Sequence, residues 1–426
     1  MLPREVQYTI SSIPSEVSTA SYVSRAVNGS AFTAGQQIQT NLIQSRGTYI
    51  VPNSMFCSFT LNVTGSADTN VLLGLPACSA FSRSDVFANS TSIDTVNNYN
   101  AITNILYNGK LSVAQKMGLS KSLGNSFEKN LANSVDSRTV AINEVVALSC
   151  AVPMCNVIAN SDKLLPLDSA EYRVYLTVDD ILNISCKDDG AASTLTGFNI
   201  TNFQIHYKAV TFDSETDAMI KSQIQPDGAV YFKTESYQSS VANLPAGSSG
   251  SIAIPFANSL TSIKSLMCGF ARTDRYKLAS GAAYNPNFSQ LNWEVAGKNY
   301  PQTPYSSDAQ AVVPLEFLES LHGIMSSPDS AHTSLSVNNF RGIDVVIGAA
   351  SAQDSVKDLP KVYFGYNAEK LPSSTALNGI SSQNSNIVLR VSIGAATVAT
   401  ATVLQIFHHD VIMKFDPMAN TLTVLR

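Results

Sequence analysis

The residues of this chain with the most chemical reach are five histidines, six cysteines and two adjacent pairs of aspartates. The histidines stand at His206, His322, His332, His408 and His409. None falls in the H-x-x-x-H or H-E-x-x-H spacing that sets two imidazoles on one helical face for a metal. His408 and His409 are neighbours inside a run with strand character, so their side chains point to opposite faces and cannot share one ion. They read as histidines of a packed or subunit surface. Cys57, Cys78, Cys150, Cys155, Cys186 and Cys268 sit among apolar or small residues, the setting of buried free thiols that act as small hydrophobes. Cys150 and Cys155 are at the edge of zinc spacing, yet no second Cys or His pair completes four ligands. Asp179-Asp180 and Asp188-Asp189 fall at a strand end and in a glycine-containing loop. Solvated turns account for them better than acid–base chemistry, which needs burial to separate two carboxyl pKa values. No G-x-S-x-G elbow, phosphate loop or dinucleotide fingerprint occurs. The sequence names no catalytic residue, no metal ligand and no cofactor site.

Composition points away from catalysis as well. Charged residues make up 14% of the 426, against about 25% in ordinary soluble domains, and Ser, Thr, Asn and small apolar residues fill the difference. Desolvating a hydroxyl or amide costs far less than desolvating a charge, so this surface suits outer faces covered by copies of the same chain. A secreted β-protein would share it. The net charge is −5, and the first thirty residues carry only Arg4 and Arg25 as cations against Glu5 and Glu16. A nucleic-acid-packaging arm needs a cluster of cations to displace counterions from phosphates, and none is present. Any basic surface would have to be assembled in space from residues such as Arg25, Arg46, Lys110, Lys116 and Lys121. Phe364 and Tyr366 share a strand face without the flanking Lys and Arg of a stacking platform, so core packing is the expectation for them. Signal-peptide blocks, a membrane-length apolar stretch and the second-position glycine of a myristoylation signal are all missing. A reducing compartment is expected. The Asn-X-Ser/Thr triplets at Asn28, Asn62, Asn89, Asn183, Asn199 and Asn287 then carry no glycan.

The elements that must position these residues are mostly strands. Tyr172, Val174, Leu176 and Val178 alternate with more polar neighbours, as do Ile387, Leu389, Val391 and Ile393. Further strands are expected at Thr48–Val51, Met55–Val63, Ala141–Cys150, Phe203–Phe212, Ala229–Phe232, Ser251–Ile254, Ser265–Phe270, Ile343–Ile347, Lys361–Tyr366 and Val403–Phe415, separated by turn-forming clusters. Helices are few and look inserted. Leu119, Leu123, Phe127 and Leu131 share one helical face. Pro314 opens a second helix with Leu315, Leu318 and Leu321, closed by Ser326-Ser327-Pro328. A third begins at Ser214 as cap, with Asp217 near its positive end, and Ser214–Ile224 connects two domains. Ser82–Asn100, Ser185–Asn199, Tyr237–Gly250 and Ala368–Asn386 show no period.

The second half echoes the first. Tyr49-Ile50-Val51-Pro52 is answered by Ile252-Ala253-Ile254-Pro255 at an offset of 203 residues, and Tyr172–Val178 by Ile387–Ile393 at 215. Phe203-Gln204-Ile205 is answered by Leu404-Gln405-Ile406 at 201, each run ending in a Phe-Asp pair, Phe212-Asp213 and Phe415-Asp416. The Ser185–Asn199 loop accounts for the change of offset. A period of half the chain is too long for a solenoid. It predicts two tandem domains, residues 1–218 and 219–426, with Pro52 over Pro255 and Gln204 near Gln405.

Particular runs also resemble the major capsid proteins of tailless icosahedral DNA viruses. In the second half these are Asn338-Asn339-Phe340-Arg341-Gly342-Ile343-Asp344, Gly379-Ile380 and Asn386–Val391. Upstream of them come Ile252–Pro255, Ser259-Leu260, Trp293 and Tyr300–Pro304. In the first half Leu164–Leu167 and the closing Phe203–Phe212 strand before a helix fit too. The resemblance implies an all-β fold with few inserted helices, two tandem eight-stranded jelly-roll β-sandwiches (a double jelly-roll). It implies a capsid protein, not an enzyme, made in the host cytoplasm and resident in the virion. Its partners would be itself, as a pseudo-hexameric homotrimer with lateral trimer–trimer contacts in an icosahedral shell, together with a separate vertex (penton) protein and minor capsid proteins. Strong direct nucleic-acid binding is not expected, and an internal membrane is left open. The alternative is a secreted all-β adhesin or carbohydrate-binding protein. A glycan-active enzyme would need paired carboxylates and aromatic platforms, which a single tryptophan, Trp293, does not supply.

Overall fold

The structure is a computed structural model that describes residues 17–425 apart from 66, 125–136, 162, 188–191, 222–228, 273–277, 307–311, 322–334, 336–360, 370–376, 395–396, 398–399 and 417–420. The first half begins with β1 (Ser18–Arg25), β2 (Ala31–Phe32), β3 (Gln37–Asn41), β4 (Thr48–Ile50), β5 (Phe56–Thr64), β6 (Asn70–Leu73) and β7 (Phe81–Ala88). It continues with β8 (Thr91–Asn97), β9 (Ser137–Val140), β10 (Val145–Pro153), β11 (Leu165–Pro166), β12 (Tyr172–Val178), β13 (Ser185–Lys187) and β14 (Gly197–Thr211). The second half holds β15 (Val230–Leu244), β16 (Gly250–Phe256), β17 (Ile263–Arg272), β18 (Phe288–Val295) and β19 (Lys298–Ser306). Then come β20 (Tyr363–Asn367), β21 (Ile387–Ile393), β22 (Ala401–Asp416) and β23 (Thr421–Leu425). The helices are α1 (Pro76–Ser79), α2 (Tyr99–Lys110), α3 (Val113–Gly118), α4 (Ser214–Lys221) and α5 (Val312–Ser320).

One pairing scheme occurs twice. In the second half the sheets run β15-β22-β17-β20 and β16-β21-β18-β19. In the first half β1 and β5 flank β14, β10 lies beyond β5, and the facing sheet runs β3-β12-β7-β8. Strand for strand, β1, β14, β5 and β10 match β15, β22, β17 and β20, while β3, β12, β7 and β8 match β16, β21, β18 and β19. Each half is an eight-stranded jelly roll, as the resemblance implied. All ladders between named strands are antiparallel.

The echoes fare differently. β12 and β21 are true counterparts, and their alternate residues fill the two cores: Tyr172, Val174, Leu176 and Val178 in one, Ile387, Leu389, Val391 and Ile393 in the other. The connection after them is longer in the first half, residues 179–196 against 394–400, which is the direction of the changed offset though not its full size, because the Gln-Ile runs are not in equivalent register. Gln204 and Gln405 lie in counterpart strands with opposite pleats. Phe203 crosses the first sandwich to Phe81 of the facing sheet, whereas in the second sandwich Gln405 itself faces inward and accepts the Trp293 indole N–H at 2.8 Å. Pro52 and Pro255 are not counterparts. Tyr49 and Ile50 belong to β4, beside the end of β14, while Ile252–Pro255 belong to β16, whose counterpart is β3. Short apolar-polar runs are chemically alike in any strand, so likeness over four residues does not fix a place in a sheet.

Local readings also need correction. Ser82–Asn100 is not a loop but β7, β8 and the start of α2, and β15 runs on from Ala229–Phe232 through Tyr237 to Leu244. β18 and β19 were not anticipated as strands. Leu119–Gly124 are turns rather than helix, with Phe127 and Leu131 outside the described residues. Helix α4 is capped by Asp213, not Ser214: its carboxylate accepts the Thr216 N–H at 2.7 Å. Helix α5 is real, but it buries Val313, Phe317 and Leu318 and leaves Leu315 56% exposed. Ile343–Ile347, Asn338–Asp344 and Ser326–Pro328 lie outside the described residues.

Candidate functional site

The chemically capable residues are dispersed and mostly sealed. All six cysteines are free and buried. Burial pushes the Cys57 and Cys155 thiols up to about 12, which leaves them inert as nucleophiles or ligands at neutral pH. Among the described residues no group of three His, Cys, Asp or Glu is placed to hold a metal. Asp179 is not a solvated turn residue. It is buried, takes the Asn100 amide at 2.5 Å, and burial raises its carboxyl above the ordinary value. Asp180 accepts the Leu182 N–H at 3.0 Å and caps the 3-10 turn Ile181–Asn183. Asp188, Asp189, His322 and His332 lie outside the described residues. Phe364 packs edge-on against Phe270 and Phe288 in the second core, as expected of a core aromatic. Ser58 Oγ lies 2.7 Å from His206 Nε2, the contact of a nucleophile–base pair. The pair lies on the outer face of the sheet, where β1, β14 and β5 ladder beneath it and Phe56 stacks on the imidazole.

What the fold does bring together is the seam between the two sandwiches. Helix α2 lies there, buried nearly all round. Its Asn100, Asn104 and Asn108 recur every four residues, a polar stripe that is buried because each amide finds a partner. Asn104 accepts the Leu75 N–H at 2.8 Å and donates to Ser79 Oγ at 2.9 Å and, across the seam, to the Ala279 carbonyl at 3.1 Å. The approach is close enough to need glycine on both sides. Gly74 and Gly281 each have φ +69°, and a Cβ at Gly74 would lie 2.4 Å from the Ser280 carbonyl. Beside α2, strand β15 is stitched to the first half by side chains. Ser236 donates to Asp94 at 2.7 Å, Thr234 to the Val157 carbonyl at 2.6 Å, and Ser239 to the Asn97 carbonyl at 2.8 Å. Apolar packing is continuous through the seam, with Tyr237, Met267, Phe317, Tyr363, Leu404 and Ile406 in one cluster with the core of the first half.

A cluster of charges lies on β15, β22 and β17. Glu235 holds Lys264 at 2.5 Å and His408 Nε2 at 2.9 Å; Lys264 also approaches Glu369 at 3.4 Å. Asp410 pairs with Lys233 at 3.2 Å and accepts the Ser262 hydroxyl at 2.6 Å. Burial alone would raise the Glu235 carboxyl, but the charges and hydrogen bonds of His408 and Lys264 outweigh it and hold the group well below the usual carboxylate range. The sequence reading did not single out Glu235 or Lys264. The signal available was β22 itself, where Val403, Leu404, Ile406 and Phe407 are apolar on both faces, the mark of a strand covered on both sides.

No family model matches the chain, and no curated protein matches its sequence. Solved structures do. The chain is similar over 98% of its length to 98% of VP54 from PBCV-1, with a TM-score of 0.63 at 11% identity. It is similar over 97% of its length to 93% of the Faustovirus major capsid protein (TM-score 0.59, 10% identity), and over its whole length to 93% of the mavirus major capsid protein (0.53, 13%). The fold is the double jelly-roll of viral major capsid proteins. Identities this low speak for the fold.

Within the double jelly-roll the two sandwiches differ in what covers them. On the outer face of β22 in the second jelly roll, Leu404, Ile406 and His408 are at most 3% exposed. On the first jelly roll the row Val23, His206, Phe56 runs across β1, β14 and β5, and there Val23 is 43% and Phe56 38% exposed. Ser58, Thr60 and Asn62 continue this face along β5, only half-buried. Of the five separated cations, Arg25, Arg46, Lys110 and Lys121 are exposed, but Lys116 is buried with its ammonium on Asn108.

Proposed function

We propose that the chain is a viral major capsid protein, a structural subunit that acts through shape and buried interface. The observation that carries this reading is the repeat of one eight-stranded pairing scheme in both halves, fused through a seam that fixes them together. Three such chains would present six similar sandwiches around a threefold axis, a pseudo-hexagonal block able to tile an icosahedral shell by lateral contacts. A division between two domains, 1–218 and 219–426, belongs to this reading, and it is supported by β14 ending at Thr211 and β15 beginning at Val230 with α4 between them. Its site of action is the virion, after synthesis in the host cytoplasm. Beyond copies of itself it would meet a vertex protein and minor capsid proteins. The likeness in fold to capsid proteins over nearly the whole chain supports the role.

Sedimentation at micromolar concentration, followed by electron microscopy, tests it. A trimer burying well over about 2,000 Å² is expected. Only a 45.5 kDa species would count heavily against the proposal.

A further inference from the structure

At the C-terminal end of α2 a buried amine meets a buried carboxamide. Asn108, in the last turn of α2, is fully sealed, and Lys116 of α3 is only 3% exposed. The Lys116 Nζ reaches the Asn108 Oδ1 at 2.5 Å. It is therefore no more than about 3.7 Å from the Asn108 Cγ, because the C=O bond adds only about 1.2 Å. Two residues of the second half close the site. Lys361, just before β20 and 2% exposed, lies near enough for its charge and that of Lys116 to oppose each other, and burial together with this opposition lowers its pKa well below the ordinary value. Tyr363 of β20, also buried, donates its hydroxyl to the Gly281 carbonyl and lies beside the Asn108 amide. Four side chains from both halves thus gather around one amide, away from bulk water.

We propose that Lys116 and Asn108 join in an intramolecular isopeptide bond between Nζ and Cγ. The step needs no oxidant or reductant. One proton passes from the Lys116 ammonium to the Lys361 amine, whose neutral form is favoured by burial and by its like-charged neighbour. The freed lone pair attacks Cγ, the new C–N bond forms as the C–Nδ2 bond breaks, and the departing nitrogen takes a second Nζ proton. One amine and one carboxamide become a secondary amide and ammonia, which leaves as ammonium with the proton that Lys361 held. Two effects favour the reaction. Holding the partners in contact replaces a bimolecular encounter, an advantage that reaches effective molarities of about 10⁵ M and above. The product also removes a charge from the core. The bond would tie α3 to the helix whose Asn104 reaches across the seam to Ala279. Because Lys361 comes from the second half, the bond would form only after the two jelly rolls have docked. It would form within one chain, whether or not chains assemble.

Intact-mass spectrometry of the purified full-length chain tests the bond. The expected mass is about 17 Da below that of the sequence, the loss of one ammonia. Asn108-Gly109 could also lose ammonia by cyclising to a succinimide, so the site is read after trypsin digestion. The isopeptide blocks cleavage after Lys116 and yields Ser84–Lys110 joined to Leu111–Lys121 as one branched peptide, whereas a succinimide leaves Lys116 cleavable and the peptides separate. Lys116→Met should restore the full mass. Lys361→Met, read on folded protein, should leave a fraction of chains at full mass. A wild-type chain at full mass, or one whose missing ammonia maps to a succinimide, overturns the inference. A Lys361→Met chain that reacts as completely as wild type removes Lys361 from the step.

Discussion

His206 and His408 are counterparts on the outer faces of β14 and β22, and each lies flat against an aromatic ring. The centroids are 4.8 Å apart for Phe56 and His206, and 4.6 Å for Tyr237 and His408. Their surroundings differ by one layer of protein. His206 shares a hydrogen bond with the Ser58 hydroxyl at a half-open surface, whereas His408 is sealed and bound to the Glu235 carboxylate. The same place in the fold therefore serves as outer surface in one jelly roll and as buried ionic joint in the other.

That joint should be measurable through Glu235. Replacing it with Gln removes the carboxylate from Lys264 and His408 while keeping the shape, and leaves Lys264 only Glu369 as a described ion-pair partner. A loss of about 2 kcal/mol at pH 7 is expected from denaturant unfolding, in the range for uncompensated, partly buried charge. The folded carboxyl is held below its ordinary value of 4.5, so its contribution is present above that value and fades as pH falls below it towards the folded value. The deficit of Glu235→Gln should shrink accordingly below about pH 4.5. An equal deficit at pH 7 and pH 3 would contradict this.

The sequence discloses sheets better than seams. β12 and β21 were legible because each alternates cleanly between a filled core and a more open face. Gln204 and Gln405 misled because β22 is apolar on both faces, so a one-residue slip in the pleat leaves the pattern intact. Helix α2 escaped because Asn100, Asn104 and Asn108 resemble a solvent-facing stripe, and only tertiary partners such as the Ala279 carbonyl make their burial tolerable. The open face escaped for a related reason. Val23 and Phe56 are apolar residues like any in the core, and nothing local records that no layer among the described residues covers them.

The seam's close approach predicts a sharp response at Gly281. Its φ of +69° favours glycine, and a Cβ there would lie 2.7 Å from the Asn104 Cβ. Gly281→Ala should destabilise by about 2 kcal/mol or more through backbone strain and displacement of α2. Gly247 has φ +79° with open space around its Cβ position, so Gly247→Ala carries the backbone strain alone. Thermal unfolding in which Gly247→Ala is the more damaging of the two would refute the packing argument.

Acidification should loosen assembly through His206. Desolvation lowers its pKa from the ordinary 6.5, so the proton binds more readily when the ring is released to solvent. Its environment is therefore without penalty above about 6.5, and stability falls as pH drops below that value. A second copy lying over the ring would bury it further and deepen the shift. Association of wild-type chains should weaken about two- to fivefold between pH 7 and pH 5.5, with His206→Gln losing part of that dependence. Identical pH profiles for the two proteins would remove His206 from the interface.

The charge distribution makes the last prediction, which concerns the genome. The chain is net acidic at −5, and Lys116, one of the cations a spatial cluster would have drawn on, is buried on Asn108. Arg25, Arg46, Lys110 and Lys121 are what remains exposed of that set, and the chain keeps them apart in sequence. If no more than three or four of them meet one duplex at once, the log–log salt slope is about −3 to −4. Purified oligomers titrated against DNA and RNA at rising salt should therefore bind weakly and with a shallow slope, and packaging would depend on another protein, a membrane or counterions. A slope near −6 or steeper would show that assembly builds a basic surface from residues that a single chain keeps apart.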